Sequence, residues 1–202
     1  MVNLYKLFSS AILSGIAISI SCISYLKLGG ITGSVLFSFG LLVVLHYGWK
    51  LYTGVSGFIQ TKQDVFNLPI ILIGNIVGCV LTALVMRYSQ PQLMENALNV
   101  FNVRMDLGLM PCLLMGVGCG FIMTSVVKFG RENKYLPLLF GVPIFIICGF
   151  LHSIADAFYI AMLPLNMLKP QFNEILLIYL MIVLGNFIGC NLVRIITLTK
   201  NS

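Results

Sequence analysis

The sequence predicts an all-α polytopic membrane protein with six transmembrane helices. They form two inverted three-helix repeats, and the second and fifth helices are broken. Three observations predict this: the apolar composition, six uncharged runs of spanning length, and a motif that recurs in the second half. Of 202 residues, 59% are hydrophobic and 9% are charged, and the mean hydropathy is +1.01. A soluble domain carries about 25% charged residues, so the deficit is too large for a globular core. A secretory signal is a poor account of the first apolar run. That run is longer than a signal's ~7–15 residue core, and further runs follow it.

Composition also excludes other classes. The net charge of +6 comes without a clustered basic face, so no nucleic-acid partner is expected. All six cysteines (Cys22, Cys79, Cys112, Cys119, Cys148, Cys190) lie inside apolar stretches with no CxxC spacing. They are expected to pack, not to form disulfides or hold a metal. No cofactor motif is present, and His152/Asp156 is the one nucleophile–base style pairing, so neither a cofactor nor an enzyme is expected.

The spans in order are Leu7–Leu26, Leu28–Trp49, Val65–Met86, Leu107–Val127, Tyr135–Ala155 and Ile175–Val193. Each has about the ~20 residues a helix needs to cross the hydrocarbon. The second and fifth sit in longer intervals. Lys27 to Lys62 encloses 34 residues interrupted by Lys50, and Lys134 to Lys169 encloses 34 interrupted by His152 and Asp156. A helix of that length would measure about 51 Å against a ~30 Å core. Both are therefore expected to break near mid-membrane, the first around LYTGVSGF (51–58), the second around HSIAD (152–156) and Pro164.

GNIVGC (74–79) returns as GNFIGC (185–190), an offset of 111 residues, close to the 107 that separates the long intervals. One transport domain, 1–202, then divides into halves of residues 1 to about 100 and about 101 to 202. Three spans per half is odd, so the second half inserts from the opposite side and the broken helices meet centrally. Seven basic residues (Lys6, Lys62, Lys128, Arg131, Lys134, Arg194, Lys200) fall on the side of the termini, against four (Lys27, Arg87, Arg104, Lys169) opposite. That bias orients both termini to the cytoplasm of a cell (inner) membrane. An ionisable pair in an apolar run is costly unless it faces protein, water or a solute, so His152 and Asp156 become pore candidates.

Several of these stretches resemble the formate/nitrite transporter family, in that family's order and spacing. LFSFGLLVVLHYGWKLYTG (36–54) is similar to its first broken helix, GNIVGC to its third helix and CGFIMTSVVKFG (119–130) to its fourth. GFLHSIAD (149–156) resembles its Gly-Phe-x-His-Ser-x-Ala-Asn signature. The resemblance implies an aquaporin-like fold and a homopentamer with one pore per protomer. It also implies transport of a small monovalent weak-acid anion: formate, nitrite, hydrosulfide or a short monocarboxylate. By matching positions, His152 would be the central histidine and Thr53 the hydroxyl facing it. Leu41, Leu51 and Tyr52 would line the cytoplasmic constriction, and Phe37 and Phe145 the outer one. Apolar constrictions favour a solute that passes nearly neutral. Lys50 would help draw the anion in, and a histidine of ordinary pKa about 6.5 suits proton coupling.

The chain also departs from the family pattern. Asp156 stands where the signature has asparagine, Val55 follows the Thr-Gly of the first loop, and Gly120 replaces a frequent asparagine. An aspartate at i+4 from His152 shares its helix face. Ionised, it would stabilise an imidazolium and repel an anion. The alternative reading is therefore an aquaporin-like channel for a small neutral or cationic solute, with Asp156 altering selectivity. A sealed, non-transporting scaffold is a third.

Overall fold

Asn3 starts the first helix, its Oδ1 accepting the N–H groups of Tyr5 and Lys6 at 3.1 and 3.3 Å. In this computed structural model, residues 3–198 are described; Lys200, part of the charge bias, lies outside them. The described residues are helical, with no strand among them. Helix α1 (Leu4–Leu28) ends where Gly29 and Gly30 take positive φ, 59° and 49°, and α2 (Gly30–His46) turns back along it. After a short α3 (Tyr52–Val55), α4 (Lys62–Ser89) opens on a capping box between Thr61 and Asp64. Helix α5 (Leu93–Leu107) connects to α6 (Leu109–Arg131) through Gly108, which has φ 75°. Then come α7 (Leu138–Ile147), α8 (Ser153–Ala161), α9 (Leu165–Leu168) and α10 (Phe172–Leu198).

Among the described residues four stretches are long and apolar enough to cross a bilayer: Leu4–Leu28, Lys62–Ser89, Leu109–Arg131 and Leu165–Ile196. The other two predicted spans are divided. At 1.5 Å per residue α7 and α8 reach only about 15 and 14 Å, each roughly half a membrane. The first break lies between His46 and Tyr52, at the leading edge of the LYTGVSGF stretch instead of within it, and Tyr52 begins α3. The second lies between Ile147 and Ser153, before the HSIAD stretch instead of within it, and HSIAD itself begins α8. Pro164 caps α9 and plays no part in that break. The reason is local: Gly149 sits at φ 75°, which stops α7 ahead of the histidine.

The two breaks are built alike. Gly48 (φ 65°) and Gly149 (φ 75°) each end a helix. The next N–H, of Trp49 or Phe150, donates to the carbonyl five residues back, Val44 or Phe145, at 2.9 Å in both. One asparagine then satisfies the exposed backbone of each break. Asn75 on α4 accepts from Tyr52 N (2.8 Å) and donates to the carbonyls of Lys50 (2.9 Å) and Ala11 (2.7 Å). Asn186 on α10 accepts from Ser153 N (2.8 Å) and donates to the carbonyls of Leu151 (2.8 Å) and Gly116 (2.9 Å). Backbone polar groups deep in a bilayer need such partners, because no water is there to supply them.

Close helix approach brings the asparagines within reach. Helix α4 lies on α1, and α10 on α6. A Cβ on Gly78 would run into the carbonyl of Ile12, and one on Gly189 into that of Val117. Both asparagines are fully buried. The glycines of GNxxGC thus allow the contact and the asparagine uses it.

Candidate functional site: a buried histidine between two cavities

His152 is the N-cap of α8, in extended conformation (φ −111°, ψ 111°). Its Nδ1 accepts the N–H of Ala155 at 3.2 Å, and its Nε2 lies 2.9 Å from Thr53 Oγ1. Because Nδ1 must present a lone pair to that N–H, the neutral ring carries its proton on Nε2. The imidazole therefore donates to the threonine hydroxyl, whose own proton remains free to point elsewhere. Thr53 follows the first break and His152 closes the second, so the two breaks meet through this one bond. Both residues are buried, with exposures of 0% and 2%.

The aromatic pair stands beside it. The rings of Phe145 and His152 are 5.8 Å apart, and Phe37 meets Phe145 edge-on at the same centroid distance. These three side chains line a cavity of about 350 Å³ that also has Arg104, Asn99, Tyr25 and Tyr159 in its wall. A second cavity of about 320 Å³ is lined by Lys50, Asp64, Asn67, Phe58, Arg131 and Leu7. Leu7 and Tyr25 belong to one helix and are separated along it by about 27 Å, so the cavities open at opposite ends of the molecule. Leu41, Leu51 and Tyr52 are buried in the core, at 1%, 1% and 6% exposure, and line neither cavity. Lys50 is exposed in the second cavity, away from the apolar centre. In that cavity the Arg131 guanidinium lies 3.7 Å over the ring of Phe58 and donates to the carbonyl of Gly54.

Asp156 departs from the sequence expectation. Its carboxylate Oδ1 accepts from Arg104 Nε at 2.8 Å, and its backbone N–H donates to the carbonyl of His152. Helical spacing put it on the face of the histidine, but the guanidinium from α5 captures the carboxylate. The charge that motivated a cation channel is thereby offset. Gly120, which stands where the family pattern frequently has an asparagine, has no room for any side chain, since a Cβ would meet the carbonyl of Asn186.

Sequence reasoning missed the bracing cysteines. Cys79 Sγ donates to the carbonyl of Ile154 (3.3 Å) and Cys190 Sγ to that of Thr53 (3.4 Å). Each GNxxGC motif thus uses its asparagine on one break and its cysteine on the short helix that follows the other. Recurrence of the motif was the available signal. Among the described residues no cluster of His, Cys, Asp or Glu is arranged to hold a metal ion.

The family model for the formate/nitrite transporter matches residues 1–199. The chain belongs to the formate/nitrite transporter family. Among curated proteins it is 26% identical over 153 residues to the uncharacterized transporter YrhG of Bacillus subtilis, covering 66% of this chain. It is 27% identical over 190 residues to the formate channel FocA of Escherichia coli K12, covering 78% of this chain, and 22% identical to that of Haemophilus influenzae over 71%. The matches span 58%, 66% and 56% of those relatives' own lengths, less than two thirds in each case. Among solved structures, a pentameric formate channel with formate bound superposes with a TM-score of 0.82 at 21% identity, covering 98% of this chain and 96% of that one. An ion channel of the same family superposes with a TM-score of 0.86 at 19% identity, covering 99% and 91%. At such identities the superpositions establish the family's fold for this chain. These relatives and neighbours are named as channels and transporters, and none as an enzyme.

Proposed function

We propose that this family member is a membrane channel or transporter for a small monovalent weak-acid anion, moved together with a proton past His152. Formate, nitrite, hydrosulfide and short monocarboxylates are the candidate solutes. The observation that carries the reading is the Thr53–His152 hydrogen bond, set in an apolar shell between cavities at opposite ends of the molecule. A bare anion has no solvation in such a shell and meets a large Born penalty, whereas its protonated acid does not. Phe37 and Phe145 on one side, and Leu41, Leu51 and Tyr52 on the other, are the constrictions that enforce this selection. Between them the hydroxyl proton of Thr53, left free by the bond it accepts from His152 Nε2–H, is the donor offered to a carboxyl or nitrite oxygen. Lys50 and Arg131 raise the local anion concentration in the cavity they share.

The chain then crosses the inner membrane six times in two inverted halves, about 1–100 and 101–202. Matched helix breaks and matched asparagine braces support that reading, since an inverted repeat places like devices symmetrically about a central site. The Lys50-side cavity, with Arg131 in its wall, lies at the end where the sequence clusters its basic residues. This supports a cytoplasmic placement of both termini. A homopentamer is supported by the pentameric assembly of the formate-bound neighbour.

A flux panel in proteoliposomes tests the function: formate, acetate, lactate, nitrite, hydrosulfide and ammonium, with external pH varied. The expected result is flux of one or more of the weak-acid anions, faster at acidic pH, and none of ammonium. Ammonium flux without weak-acid flux overturns the reading.

A further inference from the structure

We propose that Asp156 is a specificity-determining residue: by pairing with Arg104 it cancels the one cation of the cavity beside His152, so that this mouth takes up the solute as a neutral acid. The inference rests on the weak-acid reading above. The pair is well placed to act this way. Arg104 lines the same cavity as His152, Phe37 and Phe145, with 20% of its side chain exposed, while the Asp156 side chain is 3% exposed behind it. The guanidinium is held at three points: Nε on Asp156, Nη1 on the carbonyl of Val100 at 3.0 Å, and its face 5.8 Å from the Tyr159 ring centroid. The second carboxylate oxygen, Oδ2, is buried and takes no hydrogen bond among the described residues. Arg104 is therefore the group that offsets the carboxylate, and the carboxylate the group that offsets Arg104.

Among the described residues, Arg104 is the one charged side chain in the wall of this cavity. The titratable groups facing the pair are Tyr25 and Cys22 from α1, Cys112 from α6, Tyr159 and His152 from α8, and Tyr179 from α10. His152 is the one whose ordinary titration falls between about pH 5 and 8. An unpaired guanidinium here would attract anions over a Debye length of ~8 Å at physiological salt. A paired one presents a dipole, whose field falls off faster and discriminates less between anion and acid.

The contrast with the other mouth is chemical. The cavity at the opposite end holds Lys50 and Arg131, with Asp64 the one acidic side chain in its wall among the described residues. Asp64 is turned back onto the N–H groups of Gln60 and Thr61 in its own capping box. One mouth is thus cationic and the other neutral.

The test measures formate uptake through the Arg104-side mouth into proteoliposomes of oriented protein. It compares wild type, Asp156→Asn and the double variant Arg104→Gln/Asp156→Asn. Nitrate, the anion of a strong acid, serves as competitor, and ionic strength is varied from about 20 to about 300 mM with an impermeant salt. In wild type, nitrate inhibits weakly and the KM for formate stays constant with salt. In Asp156→Asn the KM at neutral pH falls at least about threefold, nitrate inhibits, and KM rises with salt, as for an exposed cation. The double variant returns to nitrate insensitivity. Wild-type uptake that is already nitrate-sensitive and salt-dependent overturns the proposal, even if Asp156→Asn fails to fold. So does a folded Asp156→Asn with wild-type KM and nitrate response. Absence of any weak-acid flux from wild type overturns the underlying function as well, which separates the two failures.

Discussion

Thr53 and His152 lie 99 residues apart in the chain and share one buried hydrogen bond of 2.9 Å. Its direction follows from the helix cap, because Ala155 N–H occupies Nδ1 and leaves the ring's proton on Nε2. The ring's one donor is thereby fixed on the Thr53 hydroxyl, between the two cavities. Thr53→Val keeps the side-chain shape and removes the acceptor, leaving a buried N–H unpaired at a cost of ~1–3 kcal/mol. Formate flux in proteoliposomes is expected to fall about tenfold or more in that variant, while Thr53→Ser retains most of it. Equal flux in Thr53→Val and wild type would show that the hydroxyl is not part of the path. The histidine was conspicuous in the sequence as an ionisable group in an apolar run, whereas the threonine was singled out through the position it shares with the family motif. The Arg104–Asp156 pair was not, because its members are 52 residues apart and helical spacing pointed the carboxylate elsewhere.

At the scale of elements, the two helix breaks are held open by side chains on neighbouring helices. Asn186 satisfies three buried backbone groups in the second break and on α6. Replacing it by Ala strands those groups, each worth ~1–3 kcal/mol, so a total loss of at least ~3 kcal/mol is expected. Thermal unfolding in detergent reads this as a lower Tm for Asn186→Ala, and for Asn75→Ala by the same argument. A wild-type Tm for both would remove the bracing role. Gly78→Val and Gly189→Val instead drive side chains into carbonyls of α1 and α6. Overpacking costs ~1–3 kcal/mol or more, and a reduced yield of folded protein on size-exclusion chromatography is the expected sign. The motif's recurrence was visible beforehand, but its use was not: GNxxGC reads as a packing motif until the break it braces is known. The second break was misplaced for a related reason. HSIAD and Pro164 are the evident polar and breaking signals, yet the left-handed turn at Gly149 acts first. Helix α5 escaped notice because it is amphipathic and short, and it supplies Arg104 and Asn99 to a cavity wall.

For the whole molecule, composition fixed the class: uncharged runs of spanning length have few other uses. Large side chains such as Phe140 (63% exposed) and Ile144 (50%) face outward from helices, as expected of surfaces meeting lipid or another protomer. Five protomers of 22.3 kDa would give a protein mass of about 110 kDa in a closed cyclic assembly. Mass photometry or light scattering of the detergent-solubilised protein is expected to return that value. A monomeric mass together with full transport would exclude the pentamer. The central claim concerns the route itself: an acid and its proton move past the imidazole between the two cavities. The most direct test is the pH profile of formate flux in proteoliposomes, from about pH 5 to 8, for wild type and His152→Ala. Wild-type flux rising as pH falls, with the slope lost in His152→Ala, is the predicted result; superimposable profiles would contradict it.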